Sequence, residues 1–477
     1  MELYPFQQED IDKIVRQKAG LIGSEMGTGK THVAIAIDAL WYEKQEGPGK
    51  PAPTLIIAPL NTFDSWVEKY EMQAPDVDVY VIDRKDRNEF VQAIMRREAD
   101  VYLMHWDALR LMPELQKFQF NVIIADEVHR SSNRKAQATK ALKNLKANYK
   151  LGLSGTASGD KPENLWSINN WLWPSYYTSY WKFRRHYCVE ELVQRGGVAY
   201  RQIVGVKNAD SLHKEMKPWY VRHLKRERCC EHHPHGVMDW LPEKTYDMVW
   251  VDLSPIQRKF YDQMRNQMVA WVGEHEDSPL VASVVVAQMV RLSQMALATP
   301  SFGEGNKIML SEPSSKIDAA KELILDHEEK QFVVFSASKQ ACYLAQRAFE
   351  KAGITCEVLS GDTPQNQRDG MVKRFNDKEY RVFIGVIQAA AEGIDGLQRS
   401  TDTAIFLDRS WSTVKNMQAE DRLHRDGQKD TVNIIDIMAR STLDFGRKQR
   451  LETKWSWIKE ILGDPRAAQR KILREEF

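Results

Sequence analysis

Ten short apolar runs set the rhythm of this chain. Leu21-Ile22, Leu55-Ile56-Ile57-Ala58, Val79-Tyr80-Val81-Ile82, Val101-Tyr102-Leu103-Met104 and Val122-Ile123-Ile124-Ala125 form a first series. Phe332-Val333-Val334-Phe335, Cys356-Glu357-Val358-Leu359, Val382-Phe383-Ile384-Gly385, Ala404-Ile405-Phe406-Leu407 and Val432-Asn433-Ile434-Ile435 form a second. Most are continuous rather than alternating and are separated by segments of helical composition, which predicts parallel sheets buried on both faces. The recurrence predicts one α/β architecture built twice. Between the series lies an aromatic, basic and less periodic stretch from about 166 to 242, then a helical one from 255 to 298, with Gly303-Glu304-Gly305-Asn306 as connector. The expected organisation is a first lobe over 1–254 with an insertion at about 175–245, a helical protrusion and linker over 255–306, and a second lobe over 307–477 ending in a helix. No fixed-period repeat is present, and the most apolar stretch, Val281 to Val290, is too short to span a bilayer.

Three segments carry the candidate chemistry. Leu21-Ile22 leads into Ser24-Glu25-Met26-Gly27-Thr28-Gly29-Lys30-Thr31, and Val33 to Ala39 follows, giving strand, glycine loop and helix. Such a loop turns backbone amides toward phosphate oxygens, with Lys30 reaching the terminal phosphates and Thr31 offering a hydroxyl to magnesium. Ser24 stands where the usual pattern has its first glycine. Asp126-Glu127-Val128-His129 follows an apolar run, so its acids emerge at the carboxyl end of a strand, where open α/β sheets place ligands. Asp126 is expected to hold magnesium and Glu127 to orient and deprotonate a water. In the third segment, Gln418 to Gln428, Arg422 and Arg425 lie three residues apart and are expected on one face of a helix, suited to stabilising charge during phosphoryl transfer. A surface helix pairing these arginines with Glu420 and Asp421 is the plainer alternative.

Composition narrows the setting. With 67 basic and 66 acidic residues the formal charge is +1, so nucleic acid would have to be met by a local patch and not by bulk attraction. Five cysteines in 477 residues, with no apolar signal core at the polar N-terminus, predict a reducing, cytoplasmic setting and no disulfide framework.

Together with Leu153-Ser154-Gly155-Thr156-Ala157, these segments resemble the superfamily two helicases, and more narrowly the Swi/Snf-type translocases of double-stranded DNA. The opening element resembles Leu3-Tyr4-Pro5-Phe6-Gln7, with Gln7 expected near adenine, and the second block resembles Ala58-Pro59-Leu60 followed by Trp66. Ser154, Gly155 and Thr156 match the element that couples hydrolysis to DNA movement. Ser360-Gly361-Asp362, Gly393-Ile394-Asp395, Asp408-Arg409-Ser410-Trp411 and the arginine segment with Gln418 follow in the family's order, and Leu241-Pro242-Glu243-Lys244 with Leu253 to Gln257 and Tyr261 favours this branch. Two departures are Val128, for the family's usual alanine, and Gln388 to Glu392, which lacks the expected hydroxyl and glycines.

The resemblance implies two RecA-like lobes, a DNA-dependent ATPase using ATP and magnesium, and DNA, double-stranded or branched, bound without sequence preference and without a membrane. It is similar to compact bacterial and phage-encoded members. Gly393 and Asp395 join the ATP site by the resemblance. Pro59, Leu60, Ser360, Gly361 and Trp411 are its DNA-facing positions. Basic candidates for phosphate contacts are Lys182, Arg184, Arg185 and His186, then Arg222, Lys225, Arg226 and Arg228. Solvated charge is the competing reading.

Cys229, Cys230, His232, His233 and His235 offer thiol and imidazole ligands, but the adjacent cysteines lack the two-residue gap of ordinary zinc sites, which makes zinc the minor reading. Trp166, Trp171, Trp173, Tyr176, Tyr177, Tyr180 and Trp181 have the chemistry to stack unpaired bases, although aromatics so spaced more often fill a core.

Overall fold

The computed structural model describes residues 3–44, 51–82, 87–195, 198–229, 232–267, 269–272, 278–281, 285–302, 308–391 and 394–464. The connector at 303–306, Gly393 and Cys230 lie outside these residues. The chain forms two compact units, 1–240 with 454–477 and 241–453.

The first unit is built on a seven-stranded sheet in the order β3-β4-β2-β5-β6-β1-β9. Its strands are β1 (Ala19–Ile22), β2 (Thr54–Ala58), β3 (Val79–Val81), β4 (Val101–His105), β5 (Gln119–Asp126), β6 (Lys146–Leu153) and β9 (Tyr220–Val221), all paired in parallel. The central strands are buried on both faces, with Leu55, Ile56, Ile57, Val122, Ile123 and Ile124 fully enclosed. Two helices matter for the site: α1 (Pro5–Ile14), opened by a proline at its first turn, and α2 (Lys30–Glu43), which begins at the end of the glycine loop.

Before β9 come the helix Leu165–Leu172 and then, in the insertion, the helix Tyr180–Tyr187 and an antiparallel hairpin of β7 (Cys188–Arg195) and β8 (Val198–Val206). Trp166, Trp171 and Tyr177 are buried here and serve as core, whereas Tyr176 and Trp181 are 81% and 57% exposed.

In the second unit a six-stranded parallel sheet runs β10-β19-β18-β15-β17-β16. The strands are β10 (Lys244–Val251), β15 (Phe332–Ser336), β16 (Cys356–Leu359), β17 (Val382–Val386), β18 (Thr403–Phe406) and β19 (Val432–Ala439). Because β10 pairs along its whole length with β19, residues 241–254 belong to the second unit, whereas the sequence reading carried the first lobe to 254. The protrusion is helical in part. Helices Pro255–Gln267 and Val285–Leu297 flank a hairpin of β11 (Val269–Val272) and β12 (Ser278–Val281), and β13 (Thr299–Phe302) with β14 (Ile308–Ser311) form another.

All ten predicted strands exist, and each unit is the α/β parallel-sheet layer expected. One predicted element is overturned. Arg422 and Arg425 are not on a helix, because the helix Thr413–Glu420 ends before them and 421–427 is a run of turns. Side-chain anchors explain the break. The Gln428 amide donates to the carbonyls of Thr401 and Leu423, the His424 ring meets Pro242 O at 2.9 Å, and Gly427 takes φ +89°, so local turns win over helical continuation.

Candidate nucleotide site

The glycine loop joins β1 to α2. Gly27 and Gly29 adopt φ of +81° and +78°, the left-handed region that glycine tolerates without steric penalty, and a Cβ on Gly29 would run into the Gln7 amide. Gln7 braces this loop: its Nε2 donates to Thr28 O at 3.0 Å, while its Oε1 accepts from Tyr4 N–H at 3.0 Å. Lys30 points back into the loop, donating to Ser24 O at 2.9 Å and Glu25 O at 2.8 Å. Burial pushes its ammonium down to about 8, against the pull of Glu127 and Asp126.

The acids stand at the carboxyl end of β5, beside that lysine. Asp126 accepts from Trp66 Nε1 at 3.0 Å and from the Glu127 backbone at 2.9 Å, and burial together with the neighbouring Glu127 charge pushes it up to about 6. Glu127 sits in the left-handed region, φ +50°, a conformation that costs a non-glycine residue about 1–3 kcal/mol and concentrates at functional sites. Burial raises its carboxyl, but His129, whose Nδ1 lies 3.0 Å from Oε2, outweighs this and holds it below the usual range. The His129 ring nitrogen also meets Ser154 Oγ at 3.1 Å, and that hydroxyl lies 3.5 Å from Glu127. The segment Ser154-Gly155-Thr156 after β6 is thereby tied to the acid that follows β5, with Thr156 N–H donating to Ser154 Oγ at 3.2 Å. A half-buried ammonium, two half-buried carboxylates and a glycine loop form a donor set whose chemistry fits a magnesium triphosphate.

Sequence reasoning missed the group that holds the loop from behind. Arg222 is buried, makes a bidentate pair with Asp464 at 2.8 and 2.9 Å, and donates to Gly23 O and Gly155 O. Lys225 is buried too, and its backbone N–H donates to Glu25 Oε2 at 2.7 Å. Neither residue is a phosphate contact on an open surface, as the basic run had suggested. Arg184 is committed as well, to Glu190 at 2.5 Å and Arg201 O at 3.1 Å, which leaves Arg185 as the exposed arginine of its helix. Arg226 is half-buried.

Within the second unit, Arg425 pairs with Asp395 at 2.7 Å, while Arg422 donates to the carbonyls of Ile394 and Ala391. Gln418 is buried on the helix Thr413–Glu420. Ser360 and Gly361 follow β16, and the Arg447 guanidinium lies 4.9 Å over the Trp411 ring. Pro59 and Leu60 start a short 3-10 turn after β2. Of the two acids in the plainer alternative, Asp421 offers its backbone carbonyl to Arg425 Nε at 2.9 Å. Glu420 instead takes Arg409 at 2.5 Å, Lys244 at 3.0 Å and the Tyr246 hydroxyl at 2.8 Å, and Arg409 also binds Asp436 on β19 at 2.6 Å.

Two RecA-like α/β units, the first with a strand, glycine loop and helix facing a strand-end acid pair, define a two-lobed P-loop protein of the helicase type. The chain belongs to the SNF2-related domain family, whose model matches residues 11–298, and the helicase conserved C-terminal domain matches 315–427. It is 25% identical over 449 residues to an "Uncharacterized ATP-dependent helicase" of Mycoplasma pneumoniae, covering 92% of this chain and 40% of that protein. It is 26% identical over 448 residues to "ATP-dependent helicase brm" of Drosophila melanogaster, covering 89% and 27%. The chain thus spans two fifths or less of these two relatives. The solved "Sulfolobus solfataricus SWI2/SNF2 ATPase core in complex with dsDNA" is 22% identical, with a TM-score of 0.43 over 100% of this chain and 96% of that one. Among the described residues, no helix is long and apolar enough to cross a membrane.

Proposed function

We propose that this protein is a DNA-dependent ATPase that moves along duplex or branched DNA and remodels the DNA or what is bound to it. The observation that carries the reading is the meeting of Lys30, Asp126 and Glu127 at one edge of the first sheet, with Glu127 linked through His129 to Ser154. Lys30 leaves the loop carbonyls for the terminal phosphates. Thr31 and Asp126 hold magnesium, which offsets phosphate charge when bound. Glu127 orients the attacking water and takes its proton, with His129 and Ser154 fixing the carboxylate. Ser154, Gly155 and Thr156 pass a change at Glu127 to the DNA path.

Gln7 supports adenine recognition while bracing Thr28. Arg425, together with Arg422 and Gln418 of the same segment, supplies positive charge to the transferring phosphoryl group, and Asp395 and Gly393 complete that side. DNA is held through its backbone, with Arg185, Arg226, Pro59, Leu60, Ser360, Gly361 and Trp411 as contacts. A reducing cytoplasm, bacterial or phage-infected, is the setting that suits four described cysteines standing outside disulfides.

ATP hydrolysis by the wild type and by Glu127→Gln, each without nucleic acid and with duplex DNA, branched DNA, single-stranded DNA or RNA, tests this. Duplex or branched DNA should stimulate the wild type, and the variant should bind ATP yet turn over about 10²–10⁴-fold more slowly. Preferential stimulation by single strands or RNA would replace the reading with a strand-separating helicase. No stimulation by any of them would leave a nucleotide sensor.

A further inference from the structure

Behind the glycine loop, the segments 222–229 and 232–238 bring together three side chains that nothing in the ATPase reading uses. Nδ1 of His223, Sγ of Cys229 and a ring nitrogen of His233 lie within 4.8 Å of one another. We propose that they bind a transition metal, zinc by the chemistry of the donors, and that the metal fastens the strand that supports the phosphate loop.

The geometry fits the ion. At zinc distances of about 2.3 Å to sulfur and about 2.0–2.1 Å to nitrogen, a tetrahedral angle puts the two ligand atoms about 3.6 Å apart. Cys229 Sγ lies 3.7 Å from His223 Nδ1. The other nitrogen of His223 meets Asp10 Oδ1 at 2.8 Å, and both side chains are buried. A carboxylate on the far nitrogen of a histidine is the partner that fixes ring orientation and tautomer at metal sites. Phe6 encloses the group, its ring centroid 5.2 Å from His223 and 6.3 Å from His233.

The loop is set for this before any metal arrives. Cys229 N–H donates to His233 O, Gly236 N–H to the same carbonyl, and Val237 and Met238 donate to Leu224 O and Lys225 O. Gly236 takes φ +87°, where a Cβ would collide with the Lys225 backbone, so the chain folds back tightly enough to return His233 to Cys229. Cysteine and histidine together suit zinc better than magnesium or calcium, which prefer oxygen. What the metal would hold is also visible. Glu25 N–H donates to His223 O at 2.9 Å, and His223 N–H donates to Ser24 Oγ at 3.1 Å, so the backbone of the first ligand is paired with the phosphate loop.

The test uses the full chain without a histidine tag, loaded with zinc sulfate and desalted, with metal content by mass spectrometry and a parallel cobalt titration read at the thiolate charge-transfer band. About one zinc per chain should remain. Cys229→Ser should lose the cobalt band, His233→Ala should bind zinc more weakly, and Asp10→Asn should weaken zinc about tenfold or more through the lost partner of His223. His235→Ala, at an exposed residue outside the group, should match wild type. Circular dichroism establishes that each variant is folded, and the wild-type titration stands independently of them. Wild type that retains no zinc after loading, a cobalt band that survives Cys229→Ser, or equal weakening by His235→Ala and His233→Ala would each overturn the site.

Discussion

In the first unit Lys30 and Asp126 stand half-buried near each other and both are pushed toward neutrality, to about 8 and about 6, while Glu127 depends on His129 to stay charged. In the second unit Glu420 is more deeply buried, yet Lys244 and Arg409 overcome the desolvation and hold its carboxyl down to about 2. The difference lies in compensation. Glu420 receives two cations and a hydroxyl, and through them ties the edge strand β10 and strand β19 to the end of a helix. The first-unit group has carbonyls for its ammonium and an indole for its acid, partners that leave charge unbalanced until something charged arrives. Incomplete compensation marks chemistry, and complete compensation marks architecture.

Substitution should separate the two kinds of charge. Lys30→Ala should lower ATP hydrolysis by about a thousandfold or more, the scale of lost transition-state charge stabilisation, while the thermal unfolding midpoint stays near wild type because a desolvated ammonium has been removed. A steep loss of thermal stability would move Lys30 to the architectural class. Glu420→Gln should do the reverse. Urea unfolding of the second unit should lose about 3–5 kcal/mol, since Arg409 and Lys244 are left buried without their acid. The sign with pH follows from the lowered value. The contribution of Glu420 is present above its ordinary value of 4.5 and is lost as pH falls toward about 2, so acid unfolding of Glu420→Gln should lack that step.

The smallest effect belongs to Asp38, which blurs the division. It is a first-unit carboxyl raised by burial to about 6 although Thr54 and Tyr70 both donate to it, at 2.6 and 2.8 Å. A raised folded value favours the proton-bound form, so its contribution is full below 3.8 and declines as pH rises through about 6, by up to about 3 kcal/mol. Asp38→Asn should flatten that decline in urea midpoints compared at about pH 5 and about pH 8. A wild type with no decline over this range would place Asp38 with Glu420.

Much of this was legible in the chain itself. Each of the ten runs that set the rhythm became a strand, since a strand covered on both faces admits little else. β6 and β10 escaped notice because Lys146 to Lys150 and Lys244 to Asp247 are largely polar: they extend to the sheet ends or lie at its edge, where one side meets water. The glycine loop and the acids were readable from local spacing, as their function depends on neighbouring backbone. Arg222 and His223 were not. Their meaning comes from Asp464 and Asp10, more than two hundred residues away, and a basic run beside two cysteines looks the same whether it faces solvent or a core. The turn after Glu420 was misread for a similar reason, since Gln428 and His424 find their carbonyl partners in other segments.

Residues 454–464 belong to the first unit although the entire second unit precedes them in the chain. Ile458, Ile461 and Leu462 fill the first core, and Asp464 anchors the arginine that reaches Gly23 and Gly155. During synthesis on the ribosome, therefore, the domain made first must wait with an open seam beside its phosphate loop until the second has been translated. Its last pieces arrive some two hundred residues late, and nucleotide binding by the nascent chain should mature only then.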